Sequence, residues 1–173
     1  MNVSIRTFVS AVVIVLPFSS GLAQPFRGAE LMANGLGELK IGMTFDDVNR
    51  DLKQKINPSN IEFRATPNCD YNKLADIPGV ALVFIDNVLS RIDVERSGIK
   101  ASHGIAVGDR QSDVVKKLHN AKKEPLDHVP EGVAYVIEHV GSQNGLSFQF
   151  ENGVLVRMIA GNRKVIRYAE ACM

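Results

Sequence analysis

Two stretches of the chain, ALVFIDNVLSRIDVE and SFQFENGVLVRMIAG, carry the same pattern of apolar and polar positions. Each has an apolar run ending near a Phe, a turn pair (Asp86-Asn87 or Asn152-Gly153), and then Val-Leu-x-Arg. β-Branched and aromatic residues on both sides of such a pair predict a β-hairpin. The two copies lie 66 residues apart, and the same offset lays IGMTFDDVNRDL on VGDRQSDVVKKL. Gly42 meets Gly108, Asp47 meets Asp113, Val48 meets Val114, Leu52 meets Leu118 and Arg91 meets Arg157. A constant offset over about 50 residues points to internal duplication. Two copies are too few for a solenoid and predict two halves of one pseudo-symmetric domain.

Each half opens with an amphipathic helix. Thr44 and Asp47 have capping-box spacing, and Phe45, Val48, Leu52 and Ile56 form one apolar stripe. In the second half Asp109 is the expected cap, with Val114, Val115 and Leu118 as the stripe. Strands follow: IEFRAT and AYVIEHV are expected to be extended, each ahead of its hairpin, and GIAV to form a short strand before the second helix. The expected fold is α+β, with two tandem helix-plus-antiparallel-hairpin repeats forming one sheet and the helices on one face. The repeats span about 36–98 and 102–164 within a single domain, 24–173.

The arginines choose the hairpin register. With a plain two-residue turn Phe150 would face Leu155 and Phe148 would face Arg157, so Arg91 and Arg157 would share a face with apolar residues, where two desolvated guanidinium groups are costly. A three-residue connection with a bulge at the glycine position instead pairs Phe150 with Val154 and Phe148 with Val156. It turns Val80, Leu82, Phe84, Val88 and Ile92 inward and Arg91, Asp93 and Glu95 outward. The outward face then offers Val83, Leu89, Arg91, Gln149, Leu155 and Arg157 as candidate partner-binding residues. Aliphatic groups set around arginines on an open sheet have the composition of a protein-contact surface; cover by a loop or by the N-terminal segment is the other use of such a face.

The N-terminus changes where this domain is expected to work. Arg6, an apolar run from Phe8 to Leu16, Pro17 and the small residues Gly21 and Ala23 have the order of a secretory signal peptide over residues 1–23. The run is far short of the roughly 20 residues that span a bilayer. No Cys follows it, so no lipid anchor is expected. Cleavage near Ala23 would release a periplasmic or secreted chain starting at Gln24. Without Arg6 the 20 basic side chains fall to 19, equal to the 19 acidic ones. With no basic run, nucleic acid is not an expected partner. Cys69 and Cys172 both lie in the mature part, and an oxidising compartment favours a disulfide between them over free thiols.

Catalytic signals are weak. His103, His119, His128 and His139 have no helical i, i+4 spacing and no neighbouring Cys, so no metal site is expected. Ser142 sits in no nucleophile elbow, the glycines do not form GxGxxG, and no cofactor is implied. GMTFDDVNRDL and VGDRQSDVVKKL, each leading to a Gly-led hairpin, resemble the tandem helix-and-sheet units of the β-lactamase-inhibitor-protein-like superfold. The unit is also similar to that of the small outer-membrane assembly lipoproteins, and the tail YAEAC resembles those of uncharacterised exported bacterial proteins. The resemblance implies a helix-packed antiparallel sheet whose open face grips another protein. The reading is a non-enzymatic exported protein that binds or inhibits another envelope or secreted protein. A glycan- or peptidoglycan-binding role is the alternative, against which the absence of Trp argues, and an enzyme comes behind both.

Overall fold

The computed structural model describes residues 26, 28–53, 55–64, 66–127, 129–138, 140–168 and 172. The leader, with Arg6 and Ala23, and two of the histidines, His128 and His139, lie outside them.

The first helix, α1 (Phe45–Leu52), forms where the capping box sits. The Thr44 side chain accepts from Asp47 N, and Asp47 Oδ2 accepts from Thr44 N at 3.0 Å. Phe45, Val48 and Leu52 are buried, but Lys53 turns left-handed (φ 52°) and ends the helix. Ile56 therefore leaves the stripe, and Asn49 binds both its N–H (2.6 Å) and its C=O (2.8 Å). In α2 (Gln111–Lys117) the N-cap is Arg110, not Asp109. Asp109 Oδ2 instead accepts from Ala106 N at 3.0 Å. Val114 is buried, while Val115 and Leu118 are half-buried.

The strands are β1 (Glu30–Met32), β2 (Gly35–Leu36), β3 (Leu39–Lys40), β4 (Cys69–Lys73), β5 (Val80–Ile85), β6 (Val88–Val94), β7 (Lys100–Ala101), β8 (Ile105–Ala106), β9 (Lys122–Pro125), β10 (Val133–Glu138), β11 (Asn144–Glu151) and β12 (Val154–Asn162). The fold is α+β, but with two sheets where one was expected. An antiparallel seven-stranded sheet runs β4-β5-β6-β12-β11-β10-β9, and a small five-stranded one runs β3-β2-β1-β7-β8. The strands of the small sheet are two or three residues long, too short for alternation to show in sequence. The first half of IEFRAT is not extended: Ile61–Phe63 forms a 3₁₀ turn.

The 66-residue offset recurs in the hydrogen bonds. Gly42 N donates to Leu89 O (2.8 Å) and Leu89 N to Met43 O (2.7 Å); Gly108 N donates to Leu155 O (2.8 Å) and Leu155 N to Asp109 O (2.9 Å). The halves meet where β6 pairs with β12, Ile92 opposite Ala160, Asp93 opposite Ile159 and Val94 opposite Met158. Shifting one strand forward by 66 and the other back returns the same set of pairs, so a pseudo-twofold axis passes through Asp93 and Ile159. In the small sheet β1 lies between β2 and β7, antiparallel to the first and parallel to the second. A single strand between two copies related by a twofold must run that way.

The hairpin register differs from the expected one. Both turns are two-residue, with Asp86, Asn87, Asn152 and Gly153 all at positive φ (51°, 63°, 49° and 76°), as a type I′ turn requires. Phe150 faces Leu155, not Val154, and Phe84 faces Leu89. The bulge comes further in, where Ser90 and Val156 are the extra residues, so that Arg91 faces Val83 and Arg157 faces Gln149. One bulge thus meets both demands: a tight turn that fits the strand twist, and arginines on the face away from the helices. Leu89 and Leu155 consequently enter the core, while Val88 and Val154 point outward.

The core lies between the helices, the small sheet and one face of the large sheet. Phe45 stacks on Phe84 at 3.7 Å between ring centroids, and Tyr135 meets Phe150 edge-on at 5.7 Å. A second, smaller core of Leu126, Ala134, Val136, Ile159 and Ile166 covers part of the opposite face. Cys69 and Cys172 form a disulfide across a separation of 103 residues. On chain-entropy grounds a loop of that length contributes roughly 4–5 kcal/mol. Cys172→Ser is expected to lower the thermal midpoint by roughly 10 °C, as circular-dichroism melting of the oxidised proteins would show; an unchanged midpoint would contradict this.

Candidate functional site

Strand alternation places Val83, Arg91, Asp93, Gln149, Arg157 and Ile159 on the face of the seven-stranded sheet away from α1 and α2. The chain itself covers much of that face. After β12 it turns through residues 163–167, and Cys172 is tied to Cys69 on β4. Leu126, Val129 and Ile166 pack over Ala134, Val136 and Ile159.

This cover overturns most of the expected open surface. Val83, Leu89, Arg91 and Leu155 have no exposure and Gln149 has 4%. Leu89 and Leu155 lie on the helix side because of the bulge. Arg91 is on the expected face but is an internal anchor. Its Nε and Nη2 donate to the two oxygens of Asp93, and its Nη1 donates to Val165 O (3.0 Å) and Tyr168 O (2.8 Å). The desolvation that was expected to keep this arginine in water is offset by a bidentate carboxylate and two carbonyls from the tail.

Arg157, the 66-residue counterpart of Arg91, keeps 29% of its side chain exposed and pairs with Glu95 at 2.6 Å, with Gln149 Oε1 at 3.4 Å. Beside it a cleft of about 100 Å³ is lined by Tyr71, Lys73, Ala81, Asp93 and Glu95. The Tyr71 hydroxyl is held above the ordinary tyrosine range, first by burial and then by the Asp93 and Glu95 charges. Like any tyrosine hydroxyl it is protonated at neutral pH and can donate a hydrogen bond. Gln149 Nε2 and Ser147 Oγ are buried without a partner among the described residues. The site offers polar recognition. Among the described residues it holds no paired nucleophile and base, and no group of three His, Cys, Asp or Glu is placed to hold a metal.

A second cleft, about 440 Å³, lies at the C-terminal end of β4 and is lined by Lys53, Lys55, Asn57, Asn72, Lys73 and Asp76, among others. The segment entering β4 is held by Asp70, only 2% exposed, which accepts from Ser59 N and Ser59 Oγ (both 2.7 Å) and Asn72 Nδ2 (2.9 Å) and pairs with Arg64 Nη2 (3.3 Å). The sequence reading missed this edge. Its signal was Pro58 and the Asn/Ser-rich composition of the segment, which disfavour a strand there.

Arg167 links the tail to the far edge of the sheet, donating to Glu124 on β9 (3.1 Å) and to Glu138 on β10 (2.6 Å). The Arg167 hydrogen bond holds the Glu138 carboxyl below the ordinary glutamate range. A carboxylate depressed in the folded state contributes stability that is complete above its unfolded value and is lost as pH falls through its folded value. Glu138→Gln should therefore lower stability at neutral pH by the lost charge-assisted bond and flatten the acid limb, so that the stability–pH curves of the two proteins converge as pH falls, as denaturant melts across pH would show. Arg91→Ala, which strips a buried carboxylate of its partner, is expected to cost about 3–5 kcal/mol. Arg157→Ala should cost less than about 1 kcal/mol because that pair is part-exposed. Urea unfolding of the two variants checks the contrast.

No family model matches the chain, and no curated protein matches it. Among solved structures, its fold is similar to that of the crystal structure of the uncharacterized protein YfeY from Escherichia coli, with a TM-score of 0.52 and 20% identity over 77% of this chain and 99% of that one. At that identity the two proteins share a fold. These comparisons name neither the inhibitor-like superfold nor the assembly lipoproteins, and what this chain shows is the α+β architecture.

Proposed function

We propose that the protein is an exported, non-enzymatic binding protein that holds another envelope or secreted protein on the first half of its seven-stranded sheet. The observation that supports this most is the unequal cover of the two halves. Over β10 and β11 the chain lays Leu126, Val129 and Ile166. Over β4 and β5 it leaves the cleft between Tyr71, Lys73, Asp93 and Glu95, with Arg157 at the side. Such a surface combines a part-buried aromatic, an arginine and rim charges, the residue types that favour specific protein contacts. The disulfide fits an oxidising compartment. Among the described residues no helix is long and apolar enough to cross a membrane.

The test is capture from envelope extract on immobilised mature protein, followed by identification of the bound protein and reconstitution with the purified pair. Arg157→Ala and Tyr71→Ala should each weaken the reconstituted complex while leaving the fold intact. The intact mass of the protein recovered from producing cells should correspond to a chain starting at Gln24. Retention of Met1 would refute export, and a complex indifferent to both substitutions would refute this surface.

A further inference from the structure

The two ends of the seven-stranded sheet are unequal in a way that the pseudo-symmetry makes visible. In the second half β10 pairs on its outer side with β9, Ala134 opposite Glu124 and Val136 opposite Lys122. On their inner side Ala134 and Val136 face Gln149 and Ser147 of β11. Moved back by 66 residues, Gln149 and Ser147 become Val83 and Ala81, and their neighbours on β4 are Tyr71 and Lys73. Tyr71 and Lys73 therefore stand where Ala134 and Val136 stand, next to the position that β9 fills. Among the described residues no strand holds that position in the first half, and the sheet ends at β4.

The main-chain groups at this edge point into the gap. Asp86 N donates to Asn68 O and Leu74 N donates to Val80 O, so the even-numbered residues of this stretch bond to β5. The N–H and C=O groups of Tyr71 and Lys73, odd-numbered and in between, are turned outward. Among the described residues they have no backbone partner. The stretch after α1, which corresponds in order to β9, is diverted. Asn49 takes the backbone of Ile56, Asp70 takes Ser59 N, and Pro58 has no N–H to offer. A cleft flanks the edge on each side, one lined by Tyr71, Ala81, Asp93 and Glu95 and the other by Lys53, Lys55 and Asn57. An unpaired edge with side-chain recesses on both sides is what an added strand needs: main-chain bonds for affinity and alternating pockets for specificity.

We infer that the outer edge of β4 receives an extended segment of another polypeptide, which pairs with Tyr71 and Lys73 as β9 pairs with Ala134 and Val136 and places an acidic side chain toward Lys53 and Lys55. This deepens the protein-binding reading and rests on it. The incoming strand completes the sheet at its eighth position. Its length is short, because the open edge offers the outward groups of only these two residues. Lys53, Lys55 and Lys73 outnumber the one acidic residue of the second cleft, Asp76, and set the charge the strand must carry; Lys73 on the rim also discourages pairing of this edge with a second identical copy.

A display library of random linear peptides panned on the mature, oxidised protein supplies the probe. Enriched peptides should carry an acidic residue, and on binding they should slow hydrogen exchange at the Tyr71 and Lys73 amides, which exchange fast in the free protein. Lys73→Pro removes the outward N–H at an edge position that tolerates proline. It should weaken binding at least roughly tenfold, whereas Lys73→Ala, which removes only the side chain, should weaken it less. If Lys73→Pro does not fold, the exchange protection in the wild-type protein decides the matter together with Lys53→Glu/Lys55→Glu, which should select against acidic peptides. No enriched peptide, protection elsewhere, equal affinities of Lys73→Pro and Lys73→Ala, or concentration-dependent dimers paired on this edge would each overturn the inference. An envelope partner lost on Arg157→Ala but kept on Lys73→Pro would leave the sheet-surface reading standing and remove strand addition. A partner indifferent to both would remove both.

Discussion

The pairing of β6 with β12 is the constraint on which the rest of the molecule turns. It joins the two halves antiparallel about an axis through Asp93 and Ile159, so one sequence position meets its own copy across the strand gap. A strict duplication would place two identical side chains there, both facing the covered side of the sheet. Two buried carboxylates in contact could not both stay ionised, and the two copies differ at this position as that contact demands. With Ile159 in one copy, Asp93 in the other is free to bind Arg91, and Ile159 joins the apolar cluster under Ile166. The asymmetry of the whole back face, polar and partly open on one side, apolar and covered on the other, starts from that single substitution of chemistry at the axis.

The small sheet obeys the same geometry. β2-β3 and β7-β8 are equivalents, and one unrepeated strand, β1, fills the space between them. Its Leu31 is fully buried with Leu36 and Ala101 in the common core. The N-terminal strand is therefore what makes two similar units into one closed layer under the helices, rather than two lobes joined by a hairpin.

Much of this was legible in the residues. The turn pairs, the Thr44–Asp47 box and the two cysteines encode local or pairwise physics, and each appears where its chemistry places it. The hairpin register was legible only in outline. The arginines required a bulge, and Asn152-Gly153, the signature of a two-residue type I′ turn, spoke against placing it in the turn, but no local signal marks Ser90 and Val156 as its place. Placing it in the turn sent Leu89 and Leu155 to the wrong side. The candidate surface failed for a different reason. Whether Arg91 meets water or protein depends on carbonyls 74 and 77 residues further along the chain, and no periodicity in the strand can report a covering made from that distance. The edge of β4 was hidden in the same way, because it is defined by a strand that the other half has and the described residues of this half lack.

The sequence distance between Arg91 and its cover also sets an order in time. Synthesis runs from the N-terminus, so the first hairpin is complete while the residues that shield its arginine have yet to be made. Until Val165 and Tyr168 are in place, Arg91 lacks two of its four acceptors. The disulfide partner of Cys69 comes later still. Shielding of the first hairpin's charge therefore waits on the last part of the chain to be made.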